Sequence, residues 1–182
     1  MKNQKRLLSL VLSLVLALSL VACDNSTGNV YFWTQNASDI AAYESMETPG
    51  GGEGSVESGD EVAIIHAADD GWGGVQSPEI ELDLSKDPML LVQIAENPDE
   101  YNWGAKFVPS DPAIEDHEWG FYILEDNNFK HNNYAGADLR EKLGEEFIDL
   151  YGEQVKGRFW IMAAGGPEAT VEVRSMAMFN QK

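Results

Sequence analysis

Residues 89–108 read MLLVQIAENPDEYNWGAKFV, and they contain the two segments that decide the fold. Met89–Ala95 is a dense apolar run bounded by polar residues, which is typical of a central β-strand covered on both faces. Trp103–Val108 predicts a second strand. Turn-forming residues separate the two segments. This part of the chain is therefore predicted to be β-structure.

The same pattern of short strands and turns extends over most of the chain. Further strands are predicted at Val62–Ala67, within Gly73–Leu84, and at Trp119–Leu124, Arg158–Ala163 and Thr170–Phe179. About seven short strands separated by turn residues indicate an all-β sandwich or barrel.

One segment departs from this pattern. Ala137–Tyr151 places Leu139, Leu143 and Phe147 at helical spacing. Gly144 interrupts this pattern at an intrinsic cost of roughly 1 kcal/mol. We expect a short amphipathic helix in a crossover that lies over one end of the sandwich.

The amino-terminal residues predict export. Basic residues at positions 2, 5 and 6 precede the apolar run Leu7–Val21, as in a secretory signal. Leu20-Val21-Ala22-Cys23 resembles the end of a bacterial lipoprotein signal, in which Cys23 is diacylated and becomes the first residue of the mature chain. The alternative is a membrane-spanning helix, which needs roughly 20 apolar residues. The resulting organisation is a signal peptide over residues 1–22, a lipidated tether over 23–29 and one β-sandwich domain over 30–182, held at the extracytoplasmic face of the cell membrane.

Charge restricts the partners that this domain can bind. The chain has a net charge of −19, and removal of the leader, which holds three cations and no acid, lowers it by three to −22. Such a field repels nucleic acid and anionic lipid headgroups, and it suits cations or neutral ligands. Solubility at a crowded cell surface is the simpler explanation. Cys23 is the only cysteine, so no internal disulfide is expected.

Sequence signatures of enzymes are missing. The three histidines lack zinc-ligand spacing, and no nucleophile elbow, P-loop or dinucleotide fingerprint occurs. We therefore expect a protein without catalytic activity, with a hydrolase of unfamiliar type as the remaining enzyme class. The polar segments Glu125–Asn128 and His131–Asn133 could bind structural calcium or sugar hydroxyls, although such turns form without any ligand. No other cofactor is expected.

Strand alternation separates a core face from a second face. The residues predicted to face the core are Leu90, Val92 and Ile94; Trp103, Ala105 and Phe107; Trp119, Phe121 and Ile123; and Phe159, Ile161 and Ala163. The second face then collects Gln93, Lys106, Tyr122, Arg158 and Trp160, with Gly104 and Gly120 leaving room above the sheet. Aromatic planes and hydrogen-bond donors on one surface suit a hydroxyl-rich ligand. Alternatively, each tryptophan belongs to the core, and the cations extend over apolar sheet.

Three short motifs carry a resemblance to a known group of domains. Asp70–Val75, Trp103–Phe107, and Ala163–Pro167 followed by Ala169–Val173 look like the jelly-roll, galactose-binding-like modules of bacterial surface lipoproteins and glycoside hydrolases. The resemblance implies a jelly-roll β-sandwich that binds a polysaccharide or oligosaccharide, as carbohydrate-binding modules do. Without an attached catalytic domain, such a role would be capture or display.

The main alternative is a structural lipoprotein that contacts a protein partner in the envelope. An exposed apolar patch around Leu91, Leu124 and Met162, with no groove, would favour this alternative, since flat apolar surface marks protein interfaces.

Overall fold

The computed structural model describes residues 31–96, 102–125 and 133–182. The predicted leader, the tether with Cys23, and residues 126–132 of the polar loop lie outside this part. The strands within it are β1 Tyr31–Asn36, β2 Glu44–Ser45, β3 Ser55–Ser58, β4 Ala63–His66, β5 Trp72–Gln76, β6 Ile80–Asp83, β7 Pro88–Glu96, β8 Asn102–Pro109, β9 Phe121–Glu125, β10 Asn133–Asp138, β11 Gln154–Ala164 and β12 Thr170–Asn180. The helices are α1 Ala37–Ile40 and α2 Leu139–Tyr151, and 3-10 turns span Leu84–Lys86 and Glu115–Trp119.

The strands form two antiparallel sheets. Sheet 1 has the order β10-β7-β12-β4-β3, with β1 also beside β12. Sheet 2 has the order β2-β5-β11-β8-β9, with β6 also beside β11. From β4 onward the chain passes repeatedly from one sheet to the other, which is the arrangement of a jelly-roll sandwich.

The core lies between the inner faces of the two sheets. Leu90, Val92 and Ile94 of β7 and Phe159 and Ile161 of β11 are completely buried in one apolar cluster. These residues alternate along their strands, as expected where one face of each sheet packs against the other. The predicted β-sandwich and the predicted inward sets of these two strands are therefore confirmed.

Four strands were not anticipated from the sequence, namely β1, β2, β3 and β10. β10 has the sequence Asn-Tyr-Ala-Gly-Ala-Asp, which has little intrinsic preference for a strand. It forms because each of its residues pairs with β7 beside it. Tertiary pairing has overridden local propensity here.

The predicted helix is present, and Gly144 interrupts it as expected. Gly144 has φ +79, so α2 consists of two helical pieces joined at this residue. The carboxylate of Asp138 accepts a hydrogen bond from the backbone N–H of Glu141 at 3.0 Å and caps the first piece. The buried residues Leu143 and Phe147 join the core, and α2 packs against β7, β9 and β10. The helix thus connects sheet 1 to sheet 2 and closes one side of the sandwich.

Two predictions for the β9 region were wrong. Trp119 ends a 3-10 turn instead of starting a strand, because Gly120 follows with φ +67 and a Cβ there would lie 2.5 Å from Val108 Cγ2. Ala105 pairs with Leu124 while Lys106 pairs with Tyr122, so β9 contains a bulge. Leu124 consequently points into the core, contrary to the prediction.

None of the helices in the described ranges is long and apolar enough to cross a membrane.

Candidate functional site

The outer face of sheet 2 carries a row of side chains from four neighbouring strands. Trp160 on β11 is opposite Gln76 on β5 and Lys106 on β8, and Lys106 is opposite Tyr122 on β9. Residues opposite each other in an antiparallel sheet have Cβ atoms about 5 Å apart on the same face. Three of the five predicted site residues, Lys106, Tyr122 and Trp160, are therefore brought together as predicted.

Lys106 is buried within this row. The residue is only 8% exposed, and its Nζ lies 4.2 Å from the centroid of the Tyr122 ring and 5.9 Å from that of Trp72. The ammonium donates a hydrogen bond to the carbonyl oxygen of Trp119 at 3.0 Å. Lys106 thus joins two aromatic rings to the turn that precedes β9 through one hydrogen bond and two cation–π contacts.

The environment shifts the pKa values of both Lys106 and Tyr122. Burial lowers the pKa of the Lys106 ammonium, and the carboxylate of Glu125 partly opposes this effect. Burial raises the pKa of the Tyr122 hydroxyl, and the charge of Glu125 raises it further. Tyr122 is therefore a neutral ring well beyond neutral pH.

A groove of about 310 Å³ opens beside this row. The ring of Trp72 lies at one side and the ring of Tyr122, which is 49% exposed, lies at the other. The remaining lining residues are Asn102, Trp103, Gly104, Glu125, Met162 and Ala164. The groove therefore presents two aromatic rings, an apolar floor and polar groups at its edge.

Gly104 leaves space on the floor of this groove. A Cβ at this position would lie 3.6 Å from both Met162 Cε and Tyr122 Cε1, and 3.2 Å from the carbonyl oxygen of Leu124. Any larger side chain here would fill the space between Met162 and Tyr122. This agrees with the prediction that Gly104 leaves room above the sheet.

Trp160 faces outward, as predicted, but it is not an open stacking surface. It is 7% exposed and forms a second apolar cluster with Met46 and Met162. Trp119 packs edge-on against it, with ring centroids 6.3 Å apart. The rings of Trp72 and Tyr122 therefore line the groove, whereas the ring of Trp160 is covered by neighbouring side chains.

Arg158 lies on the same face but outside the groove. Its guanidinium contacts the carboxylate of Glu44 at 3.4 Å and the carbonyl oxygen of Ser77 at 3.3 Å. It borders a different pocket, of about 260 Å³, together with Tyr43 and Glu79.

Gln93 does not belong to this face, and the prediction that all five residues share one surface is wrong for it. Its strand, β7, lies in sheet 1 between β10 and β12. Gln93 is opposite Tyr134 and Ser175 there, and its Oε1 accepts a hydrogen bond from Ser175 Oγ at 3.4 Å. Alternation correctly showed that Gln93 points away from the core, but it does not show to which sheet a strand belongs.

Trp72 is the groove residue that the sequence-based site missed. A pattern that could have identified it was present, since Trp72, Gly74 and Gln76 alternate with Gly73 and Val75 along β5. Val75 is completely buried, which places Trp72 on the outer face.

A larger pocket of about 420 Å³ lies between residues 109–113 and the end of α2. The aromatic ring in its lining belongs to Tyr151, whose hydroxyl accepts a hydrogen bond from the Ala113 N–H at 2.9 Å and contacts His117 Nδ1 at 2.7 Å. These contacts fix Tyr151 in place. The lining of this pocket has no facing pair of aromatic rings. The groove between Trp72 and Tyr122 is the better candidate for a binding site.

Metal binding receives no support from the described side chains, among which no group of three or more histidine, cysteine or acidic residues is placed to hold an ion. Most of the loop considered for calcium lies outside the described residues.

Neither a protein-family model nor a curated protein matches this chain. Among solved structures, the chain is similar to PfGH50B, with a TM-score of 0.51 and 11% identity over 85% of this chain and 24% of that one. It is also similar to the second N-terminal cellulose-binding domain of Cellulomonas fimi beta-1,4-glucanase C, with a TM-score of 0.47, 8% identity and coverage of 85% and 97%. The xylan-binding module CBM15 gives a TM-score of 0.40, 16% identity and coverage of 85% and 99%.

The chain therefore spans about a quarter of the length of PfGH50B. At this level of identity the likeness shows a shared β-sandwich fold.

Proposed function

We propose that this protein is a non-catalytic domain that binds a polysaccharide or oligosaccharide in the groove between Trp72 and Tyr122. The observation that carries the proposal is the presence of two aromatic rings at opposite sides of one open groove on sheet 2. The C–H faces of a sugar ring are apolar and stack on such rings, while the hydroxyls at its edge need polar partners. The volume of about 310 Å³ lies at the lower end of the range for small-ligand sites.

The charges around the groove favour a neutral glycan. Glu125 places a carboxylate in the lining. Lys106, which contacts both rings, is buried and donates a hydrogen bond to the carbonyl oxygen of Trp119. An anionic sugar would meet a carboxylate there, within a strongly acidic chain.

The location of the domain also belongs to this proposal. The lipoprotein-like sequence ending at Cys23 would attach the mature chain to the extracytoplasmic face of the membrane. The seven residues 23–29 can span at most about 25 Å. The domain would then capture or display glycans close to the membrane surface.

An envelope protein as the main partner is the second candidate, and the structure does not favour it. The apolar patch that would mark it does not form, since Leu91 lies on sheet 1, Leu124 is in the core and Met162 is 4% exposed. The outer face of sheet 2 has a groove instead of a flat apolar surface.

Tryptophan fluorescence tests the proposal, because Trp72 lines the groove. The purified full chain in mild detergent is titrated with cellohexaose, xylohexaose and laminarihexaose, and affinity electrophoresis is run in gels containing the parent polysaccharides. We expect at least one hexaose to produce a saturable change in emission. The proposal fails if none of the three changes the emission and no polysaccharide retards the protein.

Substitutions then assign the groove. Tyr122→Ala removes one ring and leaves the Trp72 reporter intact. Covering roughly 50 Å² of ring face at about 25 cal/mol per Å² is worth about 1.3 kcal/mol, so we expect about tenfold weaker binding. Ile114→Ala is the matched control, because Ile114 is similarly exposed at 54% and lies outside the groove lining.

A further inference from the structure

The outer face of sheet 1 carries a second groove, on the opposite side of the sandwich. Its volume is about 290 Å³, close to that of the groove on sheet 2. Two exposed tyrosine rings border it, Tyr31 at 52% and Tyr134 at 61% exposure. We propose that this groove is a second glycan-binding site and that one domain holds two glycan segments at once.

The residues that carry the rings occupy corresponding strands in both grooves. In sheet 2, Trp72 and Tyr122 lie on β5 and β9, which are three strands apart in the order β5-β11-β8-β9. In sheet 1, Tyr31 and Tyr134 lie on β1 and β10, which are three strands apart in the order β1-β12-β7-β10. The backbones of each pair are therefore about 14 Å apart across the sheet.

The offset along the strands is also equal. Trp72 aligns through β11 with Asn102, and Tyr122 aligns with Lys106, four residues further along β8. In sheet 1, Tyr31 aligns through Phe179 with Met89, and Tyr134 aligns with Gln93, four residues further along β7. The backbone positions of both pairs thus lie on a diagonal, with a displacement of about 13 Å along the strands.

The floor of the second groove is likewise low and apolar. Leu91 and Ala177 line it, and Gly136 on β10 is opposite Leu91. A Cβ on Gly136 would lie 3.1 Å from Leu91 Cδ2. A side chain at this position would therefore displace Leu91 in the floor of the groove.

The polar lining of the second groove suits a neutral, hydroxyl-rich ligand. Hydroxyl and amide groups come from Thr34, Gln35, Asn36 and Ser175. Asp39 supplies the carboxylate, which already accepts a hydrogen bond from the Asn36 N–H at 2.9 Å in the cap of α1. No lysine, arginine or histidine is among the lining residues, so an anionic ligand finds no counter-charge in this groove.

Two sites on opposite faces would change what the domain can do. The two sheets pack face to face about 10 Å apart, and each groove lies on the outer face of its sheet. The grooves therefore open in opposite directions. A monomer with two such sites would bridge two polysaccharide chains, or two parts of one long chain, with a gain in avidity. The ligand class rests on the function proposed for the groove of sheet 2, while the existence of the second site does not.

Calorimetry combined with fluorescence distinguishes the two sites, since no tryptophan lines the groove of sheet 1. The full chain is titrated with cellohexaose, xylohexaose and laminarihexaose. We expect two hexaoses bound per chain by calorimetry. The double variant Tyr31→Ala, Tyr134→Ala should bind one, with an unchanged tryptophan response, and Gly136→Val should give the same result by displacing Leu91, which lines the groove. Tyr122→Ala should weaken the fluorescence-detected site about tenfold and leave the other unchanged. Circular dichroism confirms that each variant is folded.

The outcomes separate the two proposals. One hexaose per chain in the unmodified protein, with a tryptophan response, overturns the second site and leaves the first. Retention of two hexaoses by both the double variant and Gly136→Val also overturns it. A third outcome is that the unmodified protein gives a calorimetric signal but no tryptophan response, and that these variants lose the calorimetric signal. This outcome supports the second site and rejects the first. Absence of binding by both methods rejects both.

Discussion

The Lys106 ammonium lies 4.2 Å from the centroid of the Tyr122 ring and donates a hydrogen bond to the carbonyl oxygen of Trp119 at 3.0 Å. Trp119 and Tyr122 flank the sharp turn at Gly120, so a single cation ties together both sides of this turn. Lys106 is 8% exposed and would act on a ligand through the Tyr122 ring. In the proposed site it is a positioning residue.

The first prediction concerns glycan affinity at alkaline pH. Burial lowers the pKa of Lys106, so its ammonium loses its proton below the ordinary lysine value of about 10.4. The pKa of Tyr122 is raised, so its hydroxyl keeps its proton over the same range. Loss of the cation–π contact, worth about 1–2 kcal/mol, should release the ring and weaken hexaose binding by roughly five- to thirtyfold.

Fluorescence titrations between neutral pH and the lysine range measure this loss. Lys106→Met retains most of the side-chain volume without a titrating group. We expect it to bind weakly at every pH and to show no alkaline decline. Equal declines in Lys106→Met and in the unmodified protein would show that another group is responsible.

The second prediction concerns the floor of the groove. Gly104→Leu should abolish hexaose binding at the sheet 2 groove, because the side chain would occupy the space between Met162 and Tyr122. The cost in stability should be about 1–3 kcal/mol, the usual range for overpacking. Gly104→Ala should bind with intermediate affinity. Fluorescence titration and urea unfolding provide the two measurements, and unimpaired binding by Gly104→Leu would place the ligand elsewhere.

The sequence predicts which side chains of a strand face the core better than it predicts which strands form one sheet. Alternation placed Leu90, Val92 and Ile94 correctly, because a strand with one face toward a core must bury every second residue. It could not place Gln93 on the correct sheet, since sheet membership depends on pairing with β10 and β12, which come much later in the chain.

The local sequence pattern also could not predict which residues on the outer face are buried. Trp160 points outward, as its position in β11 predicts, yet Met46 and Trp119 cover it. Met46 is more than one hundred residues away in the chain, and Trp119 reaches Trp160 only because the turn at Gly120 precedes β9. The bulge that turned Leu124 inward is likewise a matter of strand register.

The third prediction follows from the burial of Trp160. Trp160→Ala should lower the free energy of unfolding by about 3–5 kcal/mol, as expected for removal of a large buried aromatic side chain. Trp160→Phe should cost much less, because the indole N–H has no hydrogen-bond partner among the described residues and most of the apolar contact remains. Urea unfolding checks both values. A loss of glycan binding by Trp160→Ala at unchanged stability would instead make Trp160 a direct ligand contact.

The fourth prediction concerns alkaline stability and Tyr43. This residue is 7% exposed, and its hydroxyl donates a hydrogen bond to Gln35 Oε1 at 3.2 Å. Burial, reinforced by the charge of Asp39, raises the pKa of the Tyr43 hydroxyl far above its ordinary value of 10.0. The folded state therefore keeps this proton at pH values where the unfolded chain releases it. Stability is retained below about pH 10 and falls above it, by up to about 1.4 kcal/mol per pH unit.

Tyr43→Phe isolates this effect, because every other titrating group remains. At neutral pH the variant should be less stable than the unmodified protein by about 1 kcal/mol, the net value of the lost hydrogen bond. Above about pH 10 the variant is spared the cost of keeping the Tyr43 proton, so the difference should shrink and then reverse within about one pH unit. Urea unfolding of both proteins across this range tests the sign directly. A difference that stays constant with pH would mean that Tyr43 ionises equally in the folded and unfolded states.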